Sequence, residues 1–183
     1  MFKALIAGQI ANVERQFGYD ASYMRFMLQA APTSFAKFGI LTQLVDRKAA
    51  PAEALAAAGL AGTLVEDCGP CTQISVDIAA AAGVTPQILR AILAGDEVEM
   101  GPAAALAWRF ARASLARDMA ACDPLRDEIV RVWGGRGLVA IALSLTKARM
   151  YPTVKYALGF GKTCSQIVVA GELTSVSQTL RAA

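Results

Sequence analysis

The chain has no histidine. That removes the side chain best suited to proton transfer near neutral pH, and the commonest metal ligand. Cysteine is sparse, at four residues, and Cys122 and Cys164 each stand far from any other. A metal centre needs two soft ligands beyond a cysteine pair, and none is at hand in the sequence. Long alternations of Val, Ile and Thr, the mark of strands, are scarce. Basic residues never gather into one run, and 18 Lys and Arg against 15 Asp and Glu leave a net charge of +3. That balance argues against a nucleic-acid partner. No stretch of 18 or more residues is free of charges and helix breakers, and the longest apolar candidate, 137–146, is too short to span a bilayer. The start, Met1-Phe2-Lys3-Ala4-Leu5, lacks the ordered parts of a signal peptide. The expected setting is the cytoplasm, with no membrane partner.

What the chain does have is alanine and other apolar residues, 55% of the total over 183 residues. Alanine is the best helix former and lets helices pack closely. One all-α domain over 1–183 is the expectation, with N-terminal helices over 1–48, a core over 50–158 and a tail over 159–183. Apolar periodicity predicts a helix over 2–17 stopped by Gly18, then one capped by Asp20 and ended near Pro32. A third begins at Thr33 or Ser34, with Phe35, Phe38, Leu41, Leu44 and Val45 on one side. Pro51 and Glu53 open a fourth that Gly59 and Gly62 should break. Thr85-Pro86 starts a short helix to Ala94, and a long one is expected over 103–121. Arg109, Arg112 and Arg117 on it read as a solvated or salt-bridged face, with an anion site as the other reading. Asp123-Pro124 opens the next helix, which ends at Trp133-Gly134-Gly135. A final apolar helix runs from Gly137 until Pro152 breaks it. The tail reads as polar, with room for a short helix.

One stretch carries chemistry: Val65-Glu66-Asp67-Cys68-Gly69-Pro70-Cys71-Thr72-Gln73-Ile74-Ser75. Two cysteines three positions apart at a tight turn or helix start come within disulfide reach. Gly69 permits the turn, and Pro70 suits the first turn of a helix expected over 70–82 and closed by Gly83. Cys68 at the N-terminus of that helix gains thiolate character from the dipole, and is expected to be the more acidic and exposed thiol. A redox dithiol, a metal site and a pair of inert buried cysteines all remain open on spacing alone.

The order of elements resembles the alkylhydroperoxidase D-like and carboxymuconolactone decarboxylase-like family. The residues that carry the likeness are Cys68 and Cys71 at a helix start, Ala79 to Pro86, Ile88 to Gly95, and a helix with Ala107, Phe110 and Ala111. It covers about residues 50–158, and the cysteine pair is its specific part. The resemblance implies an all-α fold, a homo-oligomer and peroxide reduction without a cofactor. It implies that Cys71 attacks a hydroperoxide, that Cys68 resolves the product to a disulfide, and that a dithiol or lipoylated protein reduces it. In the family a histidine follows the second cysteine by four residues; that position is Ser75. The family glutamate falls at Ala56, with Glu53 one turn earlier on the same face. Glu66 is a further candidate carboxylate beside the thiols, as is its neighbour Asp67.

Two other readings stand beside it. Cys68-Gly69-Pro70-Cys71 is also the dithiol of thioredoxins, and Tyr151-Pro152-Thr153-Val154-Lys155 resembles their active-site proline segment. A thioredoxin domain needs strands between them, where this chain reads as helices. The third reading is a non-catalytic helical binding or redox-sensing protein.

Overall fold

A computed structural model describes residues 2–41, 43, 45–161 and 166–176. Leu44, Cys164 and the last residues of the tail lie outside the described residues, and so does the side chain of Leu41. The described residues form eight helices and one two-stranded sheet: α1 Phe2–Phe17, α2 Ser22–Ala30, α3 Pro32–Leu41, α4 Ala52–Val65, α5 Gly69–Ala81, α6 Pro86–Ala94, α7 Gly101–Ala116, α8 Met119–Ala157, β1 Gln166–Val169 and β2 Glu172–Ser175. The mostly helical architecture leaves no central sheet among the described residues for a thioredoxin fold. Pro152 sits buried inside α8 instead of beside a dithiol on a sheet.

α4 is the centre of the molecule. Ala54, Ala57, Ala58, Leu60, Ala61, Gly62, Thr63 and Leu64 are all buried, the pattern of a helix covered on every side. It packs on α5, α7 and α8. The break expected at Gly59 and Gly62 does not occur. A Cβ on Gly62 would stand 2.9 Å from the Leu145 carbonyl oxygen and 3.2 Å from Ala148 Cβ and Arg149 Cγ. The glycine is the contact that brings α4 against α8, and this packing outweighs its propensity cost of about 1 kcal/mol.

Three other boundaries differ from expectation. α7 ends at Ala116, because Arg117 takes a left-handed conformation (φ 58°) that closes the helix. Asp118 then caps α8, accepting from the Ala121 N–H at 3.0 Å, so helix starts five residues ahead of Asp123 and Pro124 falls inside it. The break at Gly134 is present, at φ 69° and ψ 176°. Pro152 does not end the helix, which continues to Ala157. Tyr151 and Val154, on the turn around it, pack into the N-terminal cluster, and that burial offsets the one backbone bond a proline forfeits. α8 also contains an 18-residue window of mean hydropathy 1.3, long and apolar enough by composition to cross a membrane; the Gly134 break and the arginines at 131 and 136 interrupt its apolar surface.

Among its described residues the tail forms a β-hairpin and no short helix. β1 and β2 pair antiparallel, with Val169 opposite Glu172 and Ile167 opposite Thr174. The connecting Ala170 and Gly171 both have positive φ, 51° and 81°, as a two-residue hairpin turn requires. Ile167 and Val169 are buried while Val168 between them is exposed, the alternation of a half-covered strand.

The N-terminal helices build a second apolar cluster, Ile10, Tyr19, Ala21, Tyr23 and Leu28. It seats on α5 through Ile74 and on α8 through Tyr151 and Val154. Part of the apolar surface of the N-terminal helices is therefore used within the chain, while Leu5, Phe26 and Ile40 remain exposed.

Gly62→Val should destabilise the protein by about 1–3 kcal/mol, the usual cost of overpacking. Gly59→Ala should be neutral or stabilising by about 0.4–1 kcal/mol, since its Cβ meets only the Ser144 carbonyl oxygen at 4.0 Å. Urea unfolding of both variants checks the pair.

Candidate functional site

α4 ends at Val65, and two residues turn the chain into α5. Asp67 takes the left-handed conformation (φ 45°) that makes so short a turn possible. Cys68 follows as the extended N-cap of α5 (φ −103°, ψ 92°), with Pro70 in the first turn. Its carbonyl accepts from the Thr72 N–H at 2.9 Å and the Thr72 hydroxyl at 3.1 Å. The Cys68 and Cys71 sulfurs are paired at disulfide distance, with Cα atoms 5.3 Å apart. The pair thus sits at the positive end of the α5 dipole.

Neither sulfur is exposed. Cys68 is 0% and Cys71 2% accessible, which corrects the expectation of an exposed Cys68. At Cys68 the hairpin is the reason. Ile167 and Val176 close a crevice of about 10 Å³ over Cys68 together with Leu64 and Thr72, enough for about one water. The hairpin is held by a side chain that imitates a strand. Gln73 donates from Nε2 to the Val168 carbonyl at 3.0 Å and accepts on Oε1 from the Val168 N–H at 2.7 Å. Arg90 adds a bond to Glu172 at 2.7 Å and one to the Val169 carbonyl at 3.4 Å.

The other flank of the pair is a buried polar chain. The Tyr19 hydroxyl lies 3.8 Å from Cys71 Sγ. It also bonds the Tyr23 hydroxyl at 3.3 Å. Lys155 is fully buried, and its Nζ stands 4.8 Å from the Tyr19 ring centre and 5.7 Å from that of Tyr23, within cation–π range. Burial pushes both phenols above their ordinary value, Tyr23 the further, because the phenolate would lose its solvent.

The sequence candidates are dispersed around this centre. Ser75 donates its hydroxyl to the Cys71 carbonyl at 2.9 Å, so it ties the helix backbone. Glu66 accepts from Arg149 Nε at 2.6 Å and from the Thr153 hydroxyl at 3.4 Å, an ion pair that ties the end of α4 to α8. The Asp67 carbonyl accepts from the Tyr156 hydroxyl at 2.9 Å. Glu53 is in the first turn of α4, about 18 Å along the helix from the end that carries the dithiol. Cys122 is buried in α8, 3.5 Å from the Ser114 hydroxyl. Arg109 pairs with Glu97 at 3.7 Å on an exposed surface. Among the described residues no three of His, Cys, Asp and Glu gather as a metal would require. A wider cleft of about 430 Å³, lined by Phe38, Leu145, Met150 and Val154, reaches Arg149 and Thr153, the two residues that hold Glu66.

Tyr19, Tyr23, Lys155 and Gln73 are the residues that sequence reasoning did not bring to the site. Lys155 had a signal of its own, a lysine in a helix end where Tyr151 and Val154 are apolar partners, since lysine is rarely buried without a reason.

The tyrosines give a pH dependence. Unfolded tyrosine ionises near pH 10, whereas folded Tyr19 and Tyr23 resist ionisation. Above about pH 10 the folded state therefore binds more protons, and stability falls as pH rises. The contribution is complete below that pH and lost above it. Tyr23→Phe should remove about 1.4 kcal/mol per pH unit from this alkaline slope, read by urea unfolding of the disulfide form across the range.

Compared with known proteins, the chain matches no family model, no curated protein and no solved structure.

Proposed function

We propose that this protein is a thiol-dependent oxidoreductase whose Cys68–Cys71 pair cycles between dithiol and disulfide while reducing a hydroperoxide. The observation that supports it is the pairing of the two sulfurs at the N-terminus of α5 with a tyrosine hydroxyl against one of them. A merely structural pair has no need of an O–H group beside its sulfur.

In this reading the Cys71 thiolate attacks the terminal oxygen of the peroxide. The O–O bond breaks, Cys71 becomes a sulfenic acid, and the alkoxide leaves as the alcohol by taking from water the equivalent of the proton that the Cys71 thiol gave up. The Cys68 thiol condenses with it, a water leaves, and the disulfide forms. A dithiol reductant, such as a lipoylated protein, then exchanges with the disulfide and is itself oxidised, restoring both thiols. Cys71 takes the attacking role because Tyr19 can donate a hydrogen bond to its thiolate. Ser75, whose hydroxyl is committed to the Cys71 carbonyl, supports the helix instead of moving protons. Glu66, neutralised by Arg149, adds little negative charge to the thiols. A reducing compartment such as the cytoplasm suits the cycle, and the exposed Leu5, Phe26 and Ile40 suit association with a second copy.

One observation favours a second reading, redox sensing without turnover. Both cysteines are buried and the hairpin lies over Cys68, so peroxide and reductant reach the pair only when its cover opens. Peroxide consumption with excess dithiothreitol separates the two. An enzyme consumes many equivalents and Cys71→Ser loses that activity; a sensor consumes a single equivalent. Gln73→Ala removes the two bonds to Val168. At about 0.5–1 kcal/mol net for each bond it should speed iodoacetamide labelling of the reduced cysteines roughly five- to thirtyfold, and an unchanged rate would show that the hairpin does not limit access.

A further inference from the structure

Lys155 is the one charged side chain with no exposure among the described residues. Its ammonium stands over the rings of Tyr19 and Tyr23, and nothing in the dithiol chemistry described above uses it. Burying an ammonium is costly unless the surroundings compensate. Here the faces of Tyr19 and Tyr23, rich in π electron density, are turned to it at 4.8 and 5.7 Å. The same two phenols are joined to each other and, through Tyr19, to the sulfur of Cys71.

Each phenol carries one O–H, so the chain Tyr23–Tyr19–Cys71 has one direction at a time. With Cys71 as a thiol, S–H donates to Tyr19 and Tyr19 donates to Tyr23. With Cys71 as a thiolate the direction reverses: Tyr23 donates to Tyr19, and Tyr19 donates to the sulfur. Donating phenols next to a buried cation form a site that accepts negative charge at its open end, which is Cys71.

We infer that Lys155 is a positioning residue for Cys71, acting through Tyr19 to stabilise the thiolate in the manner a neighbouring histidine would in a chain that had one. The inference rests on the dithiol reading above. The remaining groups near the start of α5 do not supply this charge. Glu66 is paired with Arg149, Asp67 is itself negative, and Tyr151 and Tyr156 from α8 are neutral phenols near neutral pH. Both tyrosines stay protonated, and so remain donors, because their burial disfavours the phenolate.

The experiment is the pH profile of iodoacetamide labelling at Cys71, resolved by mass spectrometry, in the full chain with Cys68→Ser and under reducing conditions. At reagent concentrations low enough that opening and closing outpace labelling, the midpoint reports the thiol and not the opening, and Cys122 in the same sample is the internal control. Tyr19→Phe should raise the Cys71 midpoint by about one unit, a tenfold loss of thiolate at lower pH. Lys155→Met should raise it similarly, and Lys155→Gln provides an uncharged polar alternative if the methionine variant does not fold. The combined Tyr19→Phe and Lys155→Met change should add little to either alone, because one acts through the other. An unmoved midpoint in the Lys155 variants overturns the inference, and so does full additivity in the double variant. No peroxide enters this measurement. A shifted midpoint in a protein that turns over no peroxide refutes the peroxidase reading and leaves the role of Lys155 standing. Turnover with an unmoved midpoint does the reverse.

Discussion

α4 and α8 meet at Gly62 with no room for a side chain, and the position of everything near the dithiol follows from that contact. The Cβ that glycine lacks would strike α8 at Leu145, Ala148 and Arg149. One turn further along α4, Glu66 bonds Arg149 and Thr153 of α8. One residue beyond, the Asp67 carbonyl takes the Tyr156 hydroxyl. These contacts fix the end of α4 against a known stretch of α8. Since α5 begins only three residues after Glu66, they also fix Cys68 and Cys71 relative to Lys155, which lies on the same turn as Thr153 and Tyr156. Close helix packing is a strong way to hold such a register, because interiors are dense and small displacements are felt at once.

The α-helical class and most helix starts were legible from punctuation: Gly18, Thr85, Pro86, Gly95 and Gly134 act as their chemistry predicts. The misreadings came from residues whose local preference was overruled by tertiary contact. Gly59 and Gly62 look like breakers and serve as a helix–helix seam. Pro152 looks like a stop, but its neighbours are gripped by the N-terminal cluster. The hairpin was hidden because its strands are four residues each and its turn is Ala170-Gly171, without the asparagine or aspartate that usually marks such a turn. The Cys68–Cys71 pair was legible from spacing, its burial was not. Burial depended on the hairpin, and on Gln73 pairing with Val168 some ninety residues away.

The polar flank of the dithiol was illegible for a related reason. Tyr19, Tyr23 and Lys155 come from the α1–α2 junction, α2 and the end of α8, so no local pattern links them. Their meeting requires the N-terminal helices to fold back on α5 and α8. Those helices therefore do more than add apolar surface. They bring the hydroxyl that touches Cys71 and the rings that face Lys155.

The two flanks of the dithiol impose opposite demands. On the tyrosine side, exclusion of water strengthens any interaction between Lys155, the phenols and a thiolate, since a low dielectric amplifies charge. On the hairpin side, the same exclusion keeps reagents away. A buried thiol without compensation would simply be pushed towards its neutral form. In the proposed cycle, a hydrogen-bonded chain backed by Lys155 would offset that penalty at Cys71, and the α5 dipole would do so at Cys68. The hairpin can then stay closed most of the time without silencing the sulfurs, provided its hold is weak. Its attachments meet that condition. The Arg90–Glu172 pair is exposed, with the carboxylate side chain 74% accessible, and exposed ion pairs contribute little. The Gln73 bonds are two neutral amide contacts of modest net worth. What holds the hairpin is chiefly Ile167, Val169 and Val176 against the core, a small apolar patch that a local opening can release without disturbing the α4–α8 seam.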